Sequence, residues 1–200
     1  MEHFYHNLGE NWFSYPDFYS QMVSHFVDDS HFVEVGSWKG RSSAFMAVEI
    51  INSNKRIKFD CVDTWEGSAE HIDPNSYAFN PEILENSDWL YEQFLKNIDP
   101  VKEIINPVRK TSVLASSDYG DRSLDFVFID AGHTYENVKE DITSWFPKIK
   151  VGGFIAGHDY YIDNWPEVVR AVDEFLNLPL FKSEQISIYH DPQFVWCLRK

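Results

Sequence analysis

Phe32-Val33-Glu34-Val35-Gly36-Ser37-Trp38-Lys39-Gly40-Arg41-Ser42 runs from an apolar strand through a tight turn with two glycines straight into a helix. Glycine in such a turn lets the backbone approach a ligand closely, and the helix N-terminus that follows presents free N–H groups. A dinucleotide loop needs G-x-G-x-x-G, whose middle glycine makes room for a pyrophosphate. Here Trp38 fills that place and the spacing is E-x-G-x-x-x-G. Glu34 suits a cationic ligand group and Ser42 a carboxylate, the two charges of an amino acid.

On either side of this turn, short apolar runs alternate with helical stretches, which predicts an α/β fold with a largely parallel sheet. Strands are expected over His31–Val35, Ile57–Asp63, Glu103–Arg109, Leu124–Asp130 and Gly152–Gly157. Helices are expected over Arg41–Asn52, Pro81–Ile98, Ser112–Ser117, Tyr135–Phe146 and Pro166–Asn177. Pro147 stops the fourth helix. Asn164, Pro166 and Glu167 read as cap, first turn and capping-box partner of the last one. Residues 186–190 and 194–198 are two further strands separated only by Asp191-Pro192-Gln193, so they must run antiparallel.

The chain has 200 residues, of which 44% are hydrophobic and 16% aromatic, enough to fill a core and exclude a disordered chain. It reads as a single domain, 1–200. Residues 1–29 carry Phe18, Met22 and Phe26 at helical spacing and predict a helical cap. Residues 66–100 form an insertion that serves as a substrate wall or as surface decoration. Lys plus Arg number 17 against 32 Asp plus Glu, a net charge of −15 that disfavours a nucleic-acid partner. No apolar run approaches a bilayer span and no secretory signal is visible, so the expected location is cytoplasmic, away from membranes. Cys61 and Cys197 read as buried free thiols, although their spacing alone leaves a bridge open.

Asp63 ends the second strand about 20 residues beyond the glycine turn, where an acidic side chain can accept hydrogen bonds from ribose hydroxyls. An amino-acid head and a nucleoside together specify S-adenosylmethionine. Further along, LDFVFIDAGHTYENV puts Asp130 at a strand tip with His133 in the same loop. VGGFIAGHDY puts His158 and Asp159 at the next tip. In a parallel sheet these tips are neighbours, so carboxylates and imidazoles converge on one opening.

These stretches resemble the class I S-adenosylmethionine-dependent methyltransferases, in particular the small O-methyltransferases of the macrocin-methyltransferase-like and catechol-methyltransferase-like groups. The resemblance rests on FVEVGSWKGRSS, DTWEGS and LDFVFIDAGHTYENVKEDITSWFPKIKVGGFIAGHDY and covers roughly residues 11–200. It implies a Rossmann-like sandwich, with helices on both faces of a seven-stranded, mostly parallel sheet that ends in an antiparallel C-terminal hairpin strand. It further implies that Glu34, Gly36, Ser37, Trp38, Gly40 and Ser42 surround the methionine end of the cofactor. Asp63 would hold the ribose, Thr64 or Trp65 would lie against the adenosine, and Ser112 would sit near the adenine.

In the catechol and macrocin groups a divalent metal is held by an Asp at the fourth strand tip and two adjacent residues at the fifth. Asp130, His158 and Asp159 match those places. His158 stands where a carboxylate is usual, which moves the expected preference from Mg²⁺ toward Mn²⁺ and its neighbours and leaves room for His158 to orient Asp159 or take a proton instead. His133 occupies the place of the catechol group's lysine base. An ordinary imidazole titrates near pH ~6.5 and could accept a proton at neutral pH.

The expected activity is therefore metal-assisted O-methylation of a small hydroxylated molecule or sugar, with Asp130 and His133 in catalytic roles. Trp12, Phe13, His71, Tyr77 and Phe79 are candidate walls for this acceptor. The alternatives are a nicotinamide-dependent oxidoreductase, against which Trp38 speaks, and a non-catalytic module that binds S-adenosylmethionine.

Overall fold

The computed structural model describes residues 1–182 and 185–200. Its strands are β1 (His31–Val35), β2 (Lys58–Asp63), β3 (Ile105–Arg109), β4 (Leu124–Ile129), β5 (Ile149–Gly157), β6 (Ile186–Tyr189) and β7 (Val195–Arg199). They form one sheet in the order β3-β2-β1-β4-β5-β7-β6. The first five are parallel, and β7 runs antiparallel to both β5 and β6. This is the Rossmann-like, hairpin-ended sheet that the sequence implies.

Period-two alternation puts the two faces of each strand into two separate cores. Phe32, Phe59, Cys61, Phe126, Phe128 and Cys197 face one core, which is closed by α1 (Pro16–His25), α2 (Arg41–Ser53) and α5 (Trp89–Ile98). Val33, Val62, Val127, Ile129, Trp196 and Leu198 face the other, closed by α7 (Tyr135–Trp145) and α8 (Pro166–Leu176). Both cysteines are buried and free. No helix among the described residues is long and apolar enough to cross a membrane.

The structure corrects several boundaries. The helix expected over Pro81–Ile98 is two helices, α4 (Glu82–Glu85) and α5. Between them the Asn86 side chain accepts from the Asp88 N–H at 2.9 Å, a local bond that competes with helical hydrogen bonding. Strand β5 begins three residues early, at Ile149, and reaches β4 across a register shift next to Gly152 and Gly153. The cap of α8 is Trp165 rather than Asn164, and no side chain closes it. Glu167 instead accepts from the Tyr135 N–H at 3.2 Å, satisfying a free donor at the start of the neighbouring α7.

The N-terminal segment forms α1, which buries Phe18, Tyr19, Met22 and Val23. The 66–100 segment holds α3 (Ala69–Ile72), then α4 and α5. Ile83, Leu90, Phe94 and Ile98 from its second half enter the core.

Candidate active site

The order of strands reverses between β1 and β4, and ligands of open α/β sheets bind beyond strand tips at such a point. A cleft of about 1300 Å³ opens there. Single-ligand sites are typically ~300–1,000 Å³, so this one has room for two molecules side by side.

The glycine turn is built by the groups beneath it. Gly36 has φ +88°, and a Cβ there would stand 1.9 Å from the Asp130 carbonyl oxygen; only glycine lets β1 pass so close to the β4 tip. Gly40 also has positive φ, at +82°, but its hydrogen faces Ile98 and Phe94, so packing and not a ligand demands glycine there.

Asp63 shapes the turn. Its Oδ2 accepts from the Ser37 and Trp38 N–H groups at 2.9 Å each, and its Oδ1 from Trp65 N–H at 2.8 Å. Burial raises its pKa more than these hydrogen bonds lower it.

Seven of the ten expected cofactor residues line the cleft: Gly36, Ser37, Trp38, Ser42, Asp63, Thr64 and Ser112. The other three lie behind the wall. Glu34, on the same strand face as Phe32, is 1% exposed and takes hydrogen bonds from Tyr19 Oη at 2.8 Å and from Ser43 Oγ. Burial, against those bonds, pushes its carboxyl up to about 7. Trp65 is fully buried on Tyr91 and Phe94 and donates its indole N–H to the Trp38 carbonyl at 2.9 Å. Gly40 is the third. Ser112 opens α6 (Ser112–Ser116), and its Oγ accepts from the Trp145 indole at 2.9 Å.

Across the cleft, the tips of β4 and β5 bring Asp130, His133, His158 and Asp159 together. The His133 Nε2 lies 3.0 Å from Asp159 Oδ2, and its Nδ1 lies 3.2 Å from Oε1 of Glu70 on α3. The His133 ring stacks on Trp165 at 4.1 Å. The His158 Nδ1 is 3.3 Å from Asp159 Oδ1 and 3.5 Å from Asp130 Oδ1, and its Nε2 pairs with Ser14 Oγ at 3.0 Å.

Burial works against charge on both imidazoles, yet the facing carboxylates outweigh it. Asp159, Glu70 and Asp130 carry His133 up to about 10, and Asp130 and Asp159 do the same for His158. Burial would raise Asp159, but the two imidazoles hold it well below the usual carboxylate range. His133 therefore keeps its proton at neutral pH in this arrangement, which corrects the ordinary value expected from sequence.

Asp130, His133 and Asp159 each offer one ligand atom within 4.8 Å of the others, a spacing that suits one metal ion. His158, the imidazole expected in that set, is not part of it and instead bonds the carboxylates from the side. Two oxygens and one nitrogen suit Mn²⁺, Fe²⁺ or Zn²⁺ better than Mg²⁺.

Of the candidate acceptor walls, Trp12, Phe13, His71 and Tyr77 line the cleft and Phe79 does not. The Trp38 and His71 rings stack at 4.0 Å, with Trp12 6.1 Å from His71. The sequence reading missed Ser14, Tyr15, Glu70 and Trp165. Tyr15 had a signal, because it precedes Phe18, Tyr19 and Met22 on one helical face.

A family model described as a methyltransferase domain matches residues 33–160. An uncharacterized protein of Acanthamoeba polyphaga mimivirus is 27% identical over 150 residues, which span 74% of this chain and 60% of that protein. A second uncharacterized protein, of Sinorhizobium fredii, is 24% identical over 169 residues, 80% of this chain and 17% of its own length. The chain thus spans less than two thirds of either relative.

Among solved structures, the O-methyltransferase NovP superposes with a TM-score of 0.66 at 20% identity, covering 92% of this chain and 78% of that one. A Staphylococcus aureus protein proposed to be a caffeoyl-CoA O-methyltransferase gives 0.61 at 12% identity, with 98% and 87% covered. A Streptococcus mutans protein, proposed to be a methyltransferase and solved with SAH, gives 0.59 at 10%, with 91% and 95% covered.

Proposed function

The chain belongs to the methyltransferase-domain family, and from that premise we propose that it transfers the methyl group of S-adenosylmethionine to a hydroxyl of a small molecule or sugar, assisted by a divalent metal. The observation that carries this reading is the meeting, in one cleft, of the Asp63-braced glycine turn and the Asp130–His133–Asp159 cluster. The O-methyltransferase fold neighbours and the SAH-bound one support it.

Bound S-adenosylmethionine supplies an electrophilic methyl on a sulfonium, and a bound divalent ion supplies positive charge that eases loss of the acceptor's proton. The chain's own residues do the rest. Asp63 and the turn hold the nucleoside and the methionine end, with Ser112 at the adenine. Asp130 and Asp159 hold the metal, with His133 as third donor. His158, expected as that donor, orients the two carboxylates. An oxygen of Asp130 takes the acceptor's proton; His133, expected from sequence as the base, has no free lone pair for it, being protonated when unliganded and, as a metal donor, paired through Nδ1 with Glu70. The 10–15 and 66–80 segments wall the acceptor side and exclude water, which leaves alignment of nucleophile, methyl and sulfur as the main catalytic effect.

Formation of S-adenosylhomocysteine, followed by mass spectrometry over a panel of catechols and sugars with added Mn²⁺, tests the proposal. Product that appears with Mn²⁺ and vanishes with EDTA supports it. Turnover indifferent to EDTA would remove the metal from it, and binding of NAD in place of S-adenosylhomocysteine would replace it with the oxidoreductase reading.

A further inference from the structure

The stretch that leads into α1 reaches three of the strand tips that build the site, those of β1, β4 and β5. Glu10 accepts from the Trp38 indole at 3.0 Å and from Lys39 at 2.6 Å, which ties it to the glycine turn after β1. Ser14 Oγ pairs with His158 Nε2 at 3.0 Å, after β5. Tyr15 Oη donates to Asp130 Oδ2 at 2.7 Å, after β4.

The Tyr15 phenol is a rigid donor. It is 1% exposed, and its ring centroid lies 4.6 Å from Phe128, 4.7 Å from His158 and 5.0 Å from Tyr19. Packing on three sides holds the ring with its hydroxyl on the carboxylate. Pro16 and the buried face of α1 anchor the next turn. With Oδ2 held by Tyr15 and Oδ1 lying 3.5 Å from His158 Nδ1, the Asp130 carboxylate is restrained at both oxygens.

We propose that Tyr15 is a positioning residue that sets the Asp130 carboxylate for metal binding, with Ser14 doing the same through His158. This rests on the metal reading above. Groups that orient a ligand from behind change metal affinity by ~10- to 100-fold when removed, because the ligand must then be ordered on binding.

The test is a Mn²⁺ titration of the full chain saturated with S-adenosylhomocysteine, followed by water-proton relaxation and calorimetry. Tyr15→Phe keeps the ring and removes the donor. It should weaken Mn²⁺ binding ~10-fold or more and leave the S-adenosylhomocysteine affinity within about twofold, since the hydroxyl it removes is bonded to Asp130. Ser14→Ala should weaken Mn²⁺ by ~3-fold, a smaller share of the same effect. Tyr119→Phe is the control, since it removes a half-buried phenol bonded to Asp60 at 2.8 Å, outside the cleft, and should leave Mn²⁺ binding unchanged.

Equal Mn²⁺ affinity in wild type and Tyr15→Phe would overturn the proposal, as would parallel loss of S-adenosylhomocysteine binding, which marks a merely structural role. If Tyr15→Phe does not fold, Ser14→Ala with wild-type affinity overturns it. No Mn²⁺ binding by the wild type would instead bring down the metal reading and leave Tyr15 nothing to position.

Discussion

The Nε2 of His133 lies 3.0 Å from Oδ2 of Asp159, and that contact joins the β4 loop to the β5 tip. An imidazole between Asp159 and Glu70 serves as a cation when it is protonated and as a metal donor when it is not. His158 sits beside the same carboxylates but turns its Nε2 to Ser14.

The two imidazoles should therefore differ. His133→Ala removes a proposed ligand and is expected to weaken Mn²⁺ binding by more than ~100-fold, whereas His158→Ala removes an orienting group and falls within the ~10- to 100-fold range. Calorimetric titration of both variants checks the order. A larger loss in His158→Ala would restore it as the ligand expected from sequence.

Glu34 makes a pH prediction. Its folded carboxyl is raised to about 7 from an ordinary 4.5, chiefly by burial, so the native state binds the extra proton in that window. Stability contributed by the protonated form is fully present below pH 4.5 and is lost as pH rises through about 7. Glu34→Gln should remove that slope, and the variant should gain up to about 3 kcal/mol relative to wild type between pH 5 and 8. Urea melts at the two pH values measure this; a difference independent of pH would refute the assignment.

Gly36 and Gly152 both have positive φ but differ in surroundings. A Cβ at Gly36 meets the Asp130 carbonyl at 1.9 Å, while one at Gly152 meets nothing within 4 Å. Gly152→Ala should cost only backbone strain, ~1–2 kcal/mol. Gly36→Ala should cost more than ~3 kcal/mol, since strain and clash combine. Similar urea midpoints for the two would contradict the tight crossing at Gly36.

Asp63→Asn keeps the shape of the side chain but leaves its amide nitrogen facing backbone N–H groups where Asp63 accepts three. An unmet buried donor costs about 1–3 kcal/mol. S-adenosylhomocysteine affinity should accordingly fall ~10-fold or more. Fluorescence quenching of Trp38 and its neighbours gives the readout, and wild-type affinity would detach Asp63 from the cofactor.

The sheet was legible because alternation is local: Phe32, Val33 and Val35 declare their faces without any partner in view. The same alternation held the clue that Glu34 shares the face of Phe32 and so points into the α1–α2 core, which the motif reading passed over. The break at Asn86-Ser87-Asp88 was likewise written in residues that compete with helical hydrogen bonds. The hydrogen bonds of Tyr15 to Asp130 and of Glu70 to His133 were not legible. They join segments 115 and 63 residues apart, and no spacing rule encodes which side chain tertiary packing will aim at a strand tip.

A crystal structure of the chain grown with S-adenosylhomocysteine and Mn²⁺ tests the account most directly. It should show the ribose at Asp63, the adenine toward Ser112 and the sulfur turned to a metal among Asp130, His133 and Asp159. A nucleoside bound elsewhere, or one whose sulfur points away from Asp130, would contradict it.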